Sequence, residues 1–261
     1  VPQCPEGALV SSSEAFSALA RSGSVTSQVK DLIREAVFSG AITAGEVYSV
    51  SEIATQFGCS RTPVREAVLQ LEEAGLLLMH RNRGFSIRQA NPRDLLEAFQ
   101  VRLVLEPLVS GQVARRSDQH DLTVVTRAIQ QLGNLSEAGP SGEGNVSRFM
   151  AADHNFHTGI LRALGNDFIF GTVSRAREVT FLRRMTVVHG ADDARQVFEE
   201  HEEVYDAIIG LDRARAEDAM RTHIRLTALR AFSSVGFTPP DGWETSLSAE
   251  LGPSSSCDAS L

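Results

Sequence analysis

Three histidines and one aspartate stand where a helical chain would bury apolar side chains. Asp153 and His157 are four residues apart and so share a helix face, which also carries Phe149, Phe156, Ile160 and Leu164. His201 lies between Val197 and the pair Val204 and Ile208 on one apolar stripe, and His223 lies among Met220, Ile224 and Thr227 on another. His154 points off the Phe149–Ile160 face, and His120 and His189 fall in expected loops. A buried carboxylate without a partner costs several kcal/mol or takes up a proton. A shared cation is one remedy: imidazole nitrogen with carboxylate oxygen suits Zn²⁺, Ni²⁺ or a similar borderline ion, and facing helices often build such sites. The plainer alternative makes each histidine a hydrogen-bonded core residue, and periodicity alone leaves the two readings level.

A second set of residues is cationic. Val64, Ala67, Val68 and Leu71 recur at helical spacing and face inward, which leaves Arg61, Thr62 and Arg65 on the exposed N-terminal end of their helix. Further along, Arg83 and Gly84 sit at the tip of a basic turn, His80-Arg81-Asn82-Arg83-Gly84. Each arginine alone would be an ordinary solvated charge. Together, on a helix tip and the adjacent hairpin, they suit the phosphates and base edges of a duplex.

These groups require elements to hold them. Ser51 is a candidate cap for a short helix with Ile53, Ala54 and Phe57 on one face. Gly58 and Cys59 break it. Ser60 or Thr62 then caps the second helix, with Pro63 in its first turn. Leu76–Met79 and Phe85–Ile87 pair as strands around the basic turn. Helix, turn, helix and hairpin in that order make a winged helix-turn-helix, whose second helix enters the major groove. A first helix over Ser24–Ser39 precedes it, with Val29, Ile33, Ala36 and Val37 inside. Asn91-Pro92 is a helix-start signal and a domain boundary. Every segment after Asp94 reads as helix. Leu96, Phe99, Leu103 and Val104 form the inner stripe of Leu95–Arg116, followed by Leu122–Leu132, a loop over Gly133–Asn145, and helices at Val146–Leu164, Asp167–Val187, Ala194–Ile209 and Arg213–Ala231. The expected architecture is mostly α, with an arm (1–23) read as disordered, a winged domain (24–90), an all-helical bundle (91–232) and a flexible tail (233–261).

Composition narrows the function classes. Net charge is −8 over 261 residues, which by itself argues against nucleic acid. The distribution reverses this, because residues 60–93 hold six arginines against three glutamates, a local balance of +3. No apolar run approaches the ~20 residues of a spanning helix, so no membrane is expected. No signal peptide is visible, and the scattered Cys4, Cys59 and Cys257 imply no disulfide framework. A reducing cytoplasm is the expected location.

The run SRTPVREAVLQLEEAGLL (Ser60–Leu77), with its Arg-Gly wing tip, resembles the GntR family of bacterial regulators. The likeness extends upstream to Val25–Gly45, where the first helix ends in FSGAITAGE, with Ala44 in place of the usual proline, and Ser51 stands near where many members carry an arginine. The helical half is similar to the FCD-type effector domain of the FadR-like branch in VRLVLEP (Val101–Pro107), DxxxH (Asp153–His157), LGND (Leu164–Asp167), HEEVYDAI (His201–Ile208) and RTHIR (Arg221–Arg225).

The resemblance implies that Asp153, His157, His201 and His223 hold a divalent metal, Zn or Ni. It also implies that Arg102 faces a small carboxylate effector. By residue spacing alone, Arg102 and Glu106 would be a surface ion pair worth ~0.3–0.5 kcal/mol. The function expected is a metabolite-responsive regulator, a repressor by family, acting as a homodimer on a near-palindromic double-stranded operator. Arg61 and Arg65 would read guanine edges or phosphates, Thr62 would add a contact, and Arg83 and Gly84 would enter the minor groove. The joint around Ala90–Arg93 would carry the coupling. Two competing readings are a metal-dependent enzyme on a helical bundle and a regulator whose metal is purely structural. The chain is expected not to be an enzyme, since no general base stands beside the four ligands and Glu202 points about 100° away from His201.

Overall fold

The computed structural model describes residues 24–246, apart from 39–40, 44, 74–75, 82, 89–90, 140–144 and 185–190. The arm, Ala44, Gly75, Asn82, Ala90 and His189 therefore lie outside the described residues.

Helix α1 (Val25–Phe38) buries Val29, Ile33, Ala36 and Val37, as its spacing predicts. Helix α2 (Val50–Gln56) is capped by Ser49, not Ser51: the Ser49 side chain accepts the Ser51 N–H at 3.2 Å. The helix thus begins one residue before Ser51, and Ile53, Ala54 and Phe57 face inward as expected. Gly58, at φ +64°, turns the chain into α3 (Arg61–Glu73), which buries Val64, Ala67, Val68 and Leu71 against α1 and α2. Thr62 lies inside the first turn of α3, so it does not cap it. Thr26 donates to Glu66 at 2.8 Å, tying α1 to α3.

Strands β1 (Leu77–His80) and β2 (Gly84–Ile87) pair antiparallel, Leu77 opposite Ile87 and His80 opposite Gly84. Tyr48 extends this ribbon by exchanging backbone hydrogen bonds of 2.7 and 2.9 Å with Phe85. Gly84 has φ +115°, and a Cβ there would lie 1.9 Å from the Tyr48 carbonyl oxygen. A glycine is therefore required by the protein's own backbone at this position.

The remaining described α-helices number six. Helix α4 (Pro92–Ala114) starts as expected, with Pro92 in its first turn and the Asn91 side chain accepting the Asp94 N–H at 2.8 Å. Its buried face is displaced from the expected stripe. Leu96, Phe99 and Leu103 are inside, but Val104 is 41% exposed while Arg102 is wholly buried. A 3-10 turn (Ser117–Gln119) leads to α5 (Thr123–Ala138), which runs six residues past its expected end. Gly133 does not break it; the missing side chain admits the Phe198 ring, which would lie 3.2 Å from a Cβ there.

Helices α6 (Asn145–Leu164), α7 (Asp167–Arg184), α8 (Ala191–Ile209) and α9 (Arg213–Ser234) follow. Asp212 caps α9 by accepting the Arg215 N–H at 3.1 Å. Helices α4, α7 and α9 pack together. Phe99 meets Phe232 edge-on at 5.6 Å, and Phe232 in turn meets Phe237 and Trp243. Residues 237–246 were expected in a tail. They fold back instead, with Trp243 4% exposed and its carbonyl accepting Gln100 Nε2 at 3.1 Å. Burying an indole on an aromatic cluster holds this segment against the bundle.

Candidate metal centre and nucleic-acid interface

Helix α6 buries Phe149, Met150, Phe156, Ile160 and Leu161, and its period carries Asp153 and His157 inward with them. Asp153 Oδ1 and His157 Nε2 are 3.9 Å apart, beyond hydrogen-bond range but suited to two ligands of one ion. On α8, Val197, Val204 and Ile208 bury the stripe that holds His201, and on α9 Met220 and Ile224 do the same for His223. The His201 and His223 rings lie 4.2 Å apart, centroid to centroid, tilted by 59°.

One ligand atom from each of Asp153, His157, His201 and His223 can be chosen so that all lie within 4.8 Å of one another, and none of the four is more than 1% exposed. Bonds of ~2.0–2.2 Å place tetrahedral ligands ~3.3–3.6 Å apart and opposed ones at most ~4.4 Å apart, so closure of up to about an ångström would seat an ion. Three imidazoles with one carboxylate fit a borderline divalent cation better than a hard one. His154 and His120 are only half-buried and outside the cluster, as expected, and Glu202 is exposed.

Glu200 is the participant that the sequence did not reveal. It precedes His201 by one residue, so it points about 100° away, toward α9. Its Oε2 accepts a hydrogen bond from His223 Nδ1 at 3.0 Å, and Arg230 grips both its oxygens. Burial pushes Glu200 up, but the hydrogen bonds from His223 and Arg230 outweigh it and hold the carboxyl down to about 2. With Nδ1 committed, Nε2 of His223 is the nitrogen that can ligate. Only the packing of α8 on α9 could disclose this.

Arg102 is not a surface residue. Its Nε donates to Glu106 Oε1 at 2.6 Å and its Nη1 to Thr180 Oγ1 at 3.1 Å, with the guanidinium over the Phe99 ring. Arg177 approaches the other Glu106 oxygen at 3.5 Å. The third guanidinium nitrogen, Nη2, is buried and finds no acceptor among the described residues. The surface-pair alternative is thereby excluded. The charges of Arg102 and Arg177 also explain why Glu106 can be inside while Val104 is outside.

At the front of the chain, the buried face of α3 turns Arg61, Thr62 and Arg65 to solvent, all three exposed. Arg83, at the turn between β1 and β2, is exposed as well, and Gly84 is half-buried. The geometry presents cations from a helix tip and a wing.

The chain matches the family model described as bacterial regulatory proteins, gntR family, over residues 14–87, and the FCD domain model over residues 97–226. It is similar to a probable D-xylose utilization operon transcriptional repressor of Paenarthrobacter nicotinovorans, 31% identical over 206 residues, covering 77% of this chain and 85% of the relative. It is 24% identical to the HTH-type transcriptional repressor GlaR of Escherichia coli K12, with coverage of 74% and 89%. Among solved structures it resembles E. coli McbR/YncC, with a TM-score of 0.70 at 18% identity, covering 82% of this chain and all of that one.

Proposed function

The chain belongs to the gntR family of bacterial regulatory proteins and is a DNA-binding transcriptional regulator, not an enzyme, and from that premise we propose that it is a homodimeric repressor governed by a divalent ion and a small carboxylate. The exposed Arg61, Thr62 and Arg65 on the tip of α3 support the DNA contact. Two copies would set these tips in half-sites of a near-palindromic operator about one helical turn apart. Arg61 and Arg65 take guanine edges or phosphates, Thr62 adds a contact, and Arg83 and Gly84 follow the minor groove. The repressor sign rests on the printed names of the two relatives.

The observation that carries the sensing half is the buried set Asp153, His157, His201 and His223. These four would hold the ion, and Zn²⁺ or Ni²⁺ suits them. A bound divalent cation supplies positive charge to which a carboxylate oxygen can attach. Arg102 holds the unmatched Nη2 donor for such a ligand and is itself fixed by Glu106, Thr180 and Phe99. A ligand shifts operator affinity only through a difference in affinity for two arrangements of the protein, typically ~1–3 kcal/mol.

The test is elemental analysis of purified protein, followed by operator selection from random duplexes. Binding is then titrated with short carboxylates and, because of the relative's name, with D-xylose. Metal retained at about one ion per chain and release of DNA by an acid support the proposal. No metal after supply of Zn²⁺ and Ni²⁺, or response to the neutral sugar alone, would overturn it.

A further inference from the structure

Thr227 lies one helical turn after His223 and is 2% exposed, yet its Oγ1 has no hydrogen-bond partner among the described residues. A helical threonine normally returns its hydroxyl to the carbonyl four residues back, and this one does not. An orphaned buried hydroxyl costs free energy unless something outside the chain satisfies it.

Its position is set by two contacts between α4 and α9. Phe99 meets Phe232, and Gly111 lies against Glu217, where an added Cβ would come within 2.4 Å of that side chain. The two helices are therefore antiparallel. Arg102 lies a quarter of the way from Phe99 to Gly111. A quarter of the way from Phe232 back to Glu217 is about residue 228, so Arg102 stands level with Thr227 and Ala228. Around α9, Thr227 is ~40° from His223, on the flank between that histidine and the side facing α4. Two buried polar atoms, Arg102 Nη2 and Thr227 Oγ1, thus lack partners among the described residues at one level of one helix pair.

We propose that Thr227 is a second ligand-binding residue and that the effector is a hydroxylated organic acid, its carboxylate on Arg102 and its hydroxyl on Thr227. The inference rests on the reading of the helical half as a carboxylate sensor. A guanidinium nitrogen asks for an anionic acceptor, whereas a threonine hydroxyl both donates and accepts, which matches an alcohol. A site built around a buried polar group also rejects the analogue that lacks the matching one.

The test uses the full chain supplied with Zn²⁺ and two acids that differ by one hydroxyl, malate and succinate, with affinities from calorimetry. Thr227→Val keeps the shape and removes the hydroxyl. It should weaken malate about tenfold, leave succinate unchanged, and hold or raise the Tm of the ligand-free protein, because an unsatisfied polar group has gone. A merely structural hydroxyl would lower the Tm without changing the preference between the acids. Thr227→Ser retains the hydroxyl and should retain the malate preference, which guards against a poorly folded valine variant. Equal losses for both acids, or none for either, would overturn the Thr227 assignment and leave the carboxylate site standing. If the unsubstituted protein binds neither acid, the carboxylate reading fails first and takes this inference with it.

Discussion

Glu200 Oε2 accepts a hydrogen bond from His223 Nδ1 at 3.0 Å, while Arg230 holds both oxygens of the same carboxylate. A carboxylate behind an imidazole fixes the ring and its tautomer and raises the basicity of the far nitrogen. Glu200→Gln should therefore lower metal affinity ~10–100-fold, as measured by competition with a chelator, while operator binding at saturating metal stays unchanged. Because its folded value of about 2 lies below the ordinary 4.5, the stability linked to Glu200 is complete above pH ~4.5 and is lost as pH falls toward ~2.

Replacing His201 and His223 together with alanine should strip the metal, read by elemental analysis. An ion present at a hundredfold excess over its Kd stabilises a folded chain by ~2.7 kcal/mol. A chelator should accordingly lower the Tm of the unsubstituted protein and leave that of the double variant unmoved. Wild-type metal content in the variant would show that the ligand set is wrong.

Arg65 is exposed on α3 beside the buried Val64 and makes no contribution to the core. Arg65→Ala should abolish operator recognition, a loss of at least ~1–3 kcal/mol, with an unchanged Tm. If the arginine contacts a phosphate, the slope of log affinity against log salt should also fall by ~1. Gel shifts over a range of salt concentrations measure both, and full binding by the variant would remove α3 from the interface.

Gly84→Ala should be costly for a different reason. The new Cβ would meet the Tyr48 carbonyl, and φ +115° strains any L side chain. A loss of ~1–3 kcal/mol is expected from the strain alone, seen as a lower Tm and weaker DNA binding together. A variant with native stability but weak DNA binding would instead assign the glycine to close approach of the duplex.

The winged module was legible because its signals are local. Apolar residues at helical spacing, a glycine turn and two short apolar runs around a basic turn each act within a few residues, and the structure keeps them, with Ser49 replacing Ser51 as the cap. The four buried ligand candidates were legible for a related reason: a histidine or aspartate on an apolar stripe violates its own helix. Val104 and Arg102 show where that logic stops. Hydropathy places valine inside and arginine outside, but Glu106 one turn along and Thr180 of α7 supply the partners that let Arg102 be buried.

Periodicity by itself thus determined which elements form and which face of most of them turns inward, since both follow from side chains a turn apart. The tertiary structure decided what meets across helices: that Asp153, His157, His201 and His223 converge, that Glu200 stands behind His223, and that Trp243 returns to the Phe232 cluster. Apart from the Asp153–His157 pair, those contacts join residues on different elements, and helical spacing holds no record of them. Their energies come from desolvation and hydrogen-bond geometry, which exist only once the helices have packed.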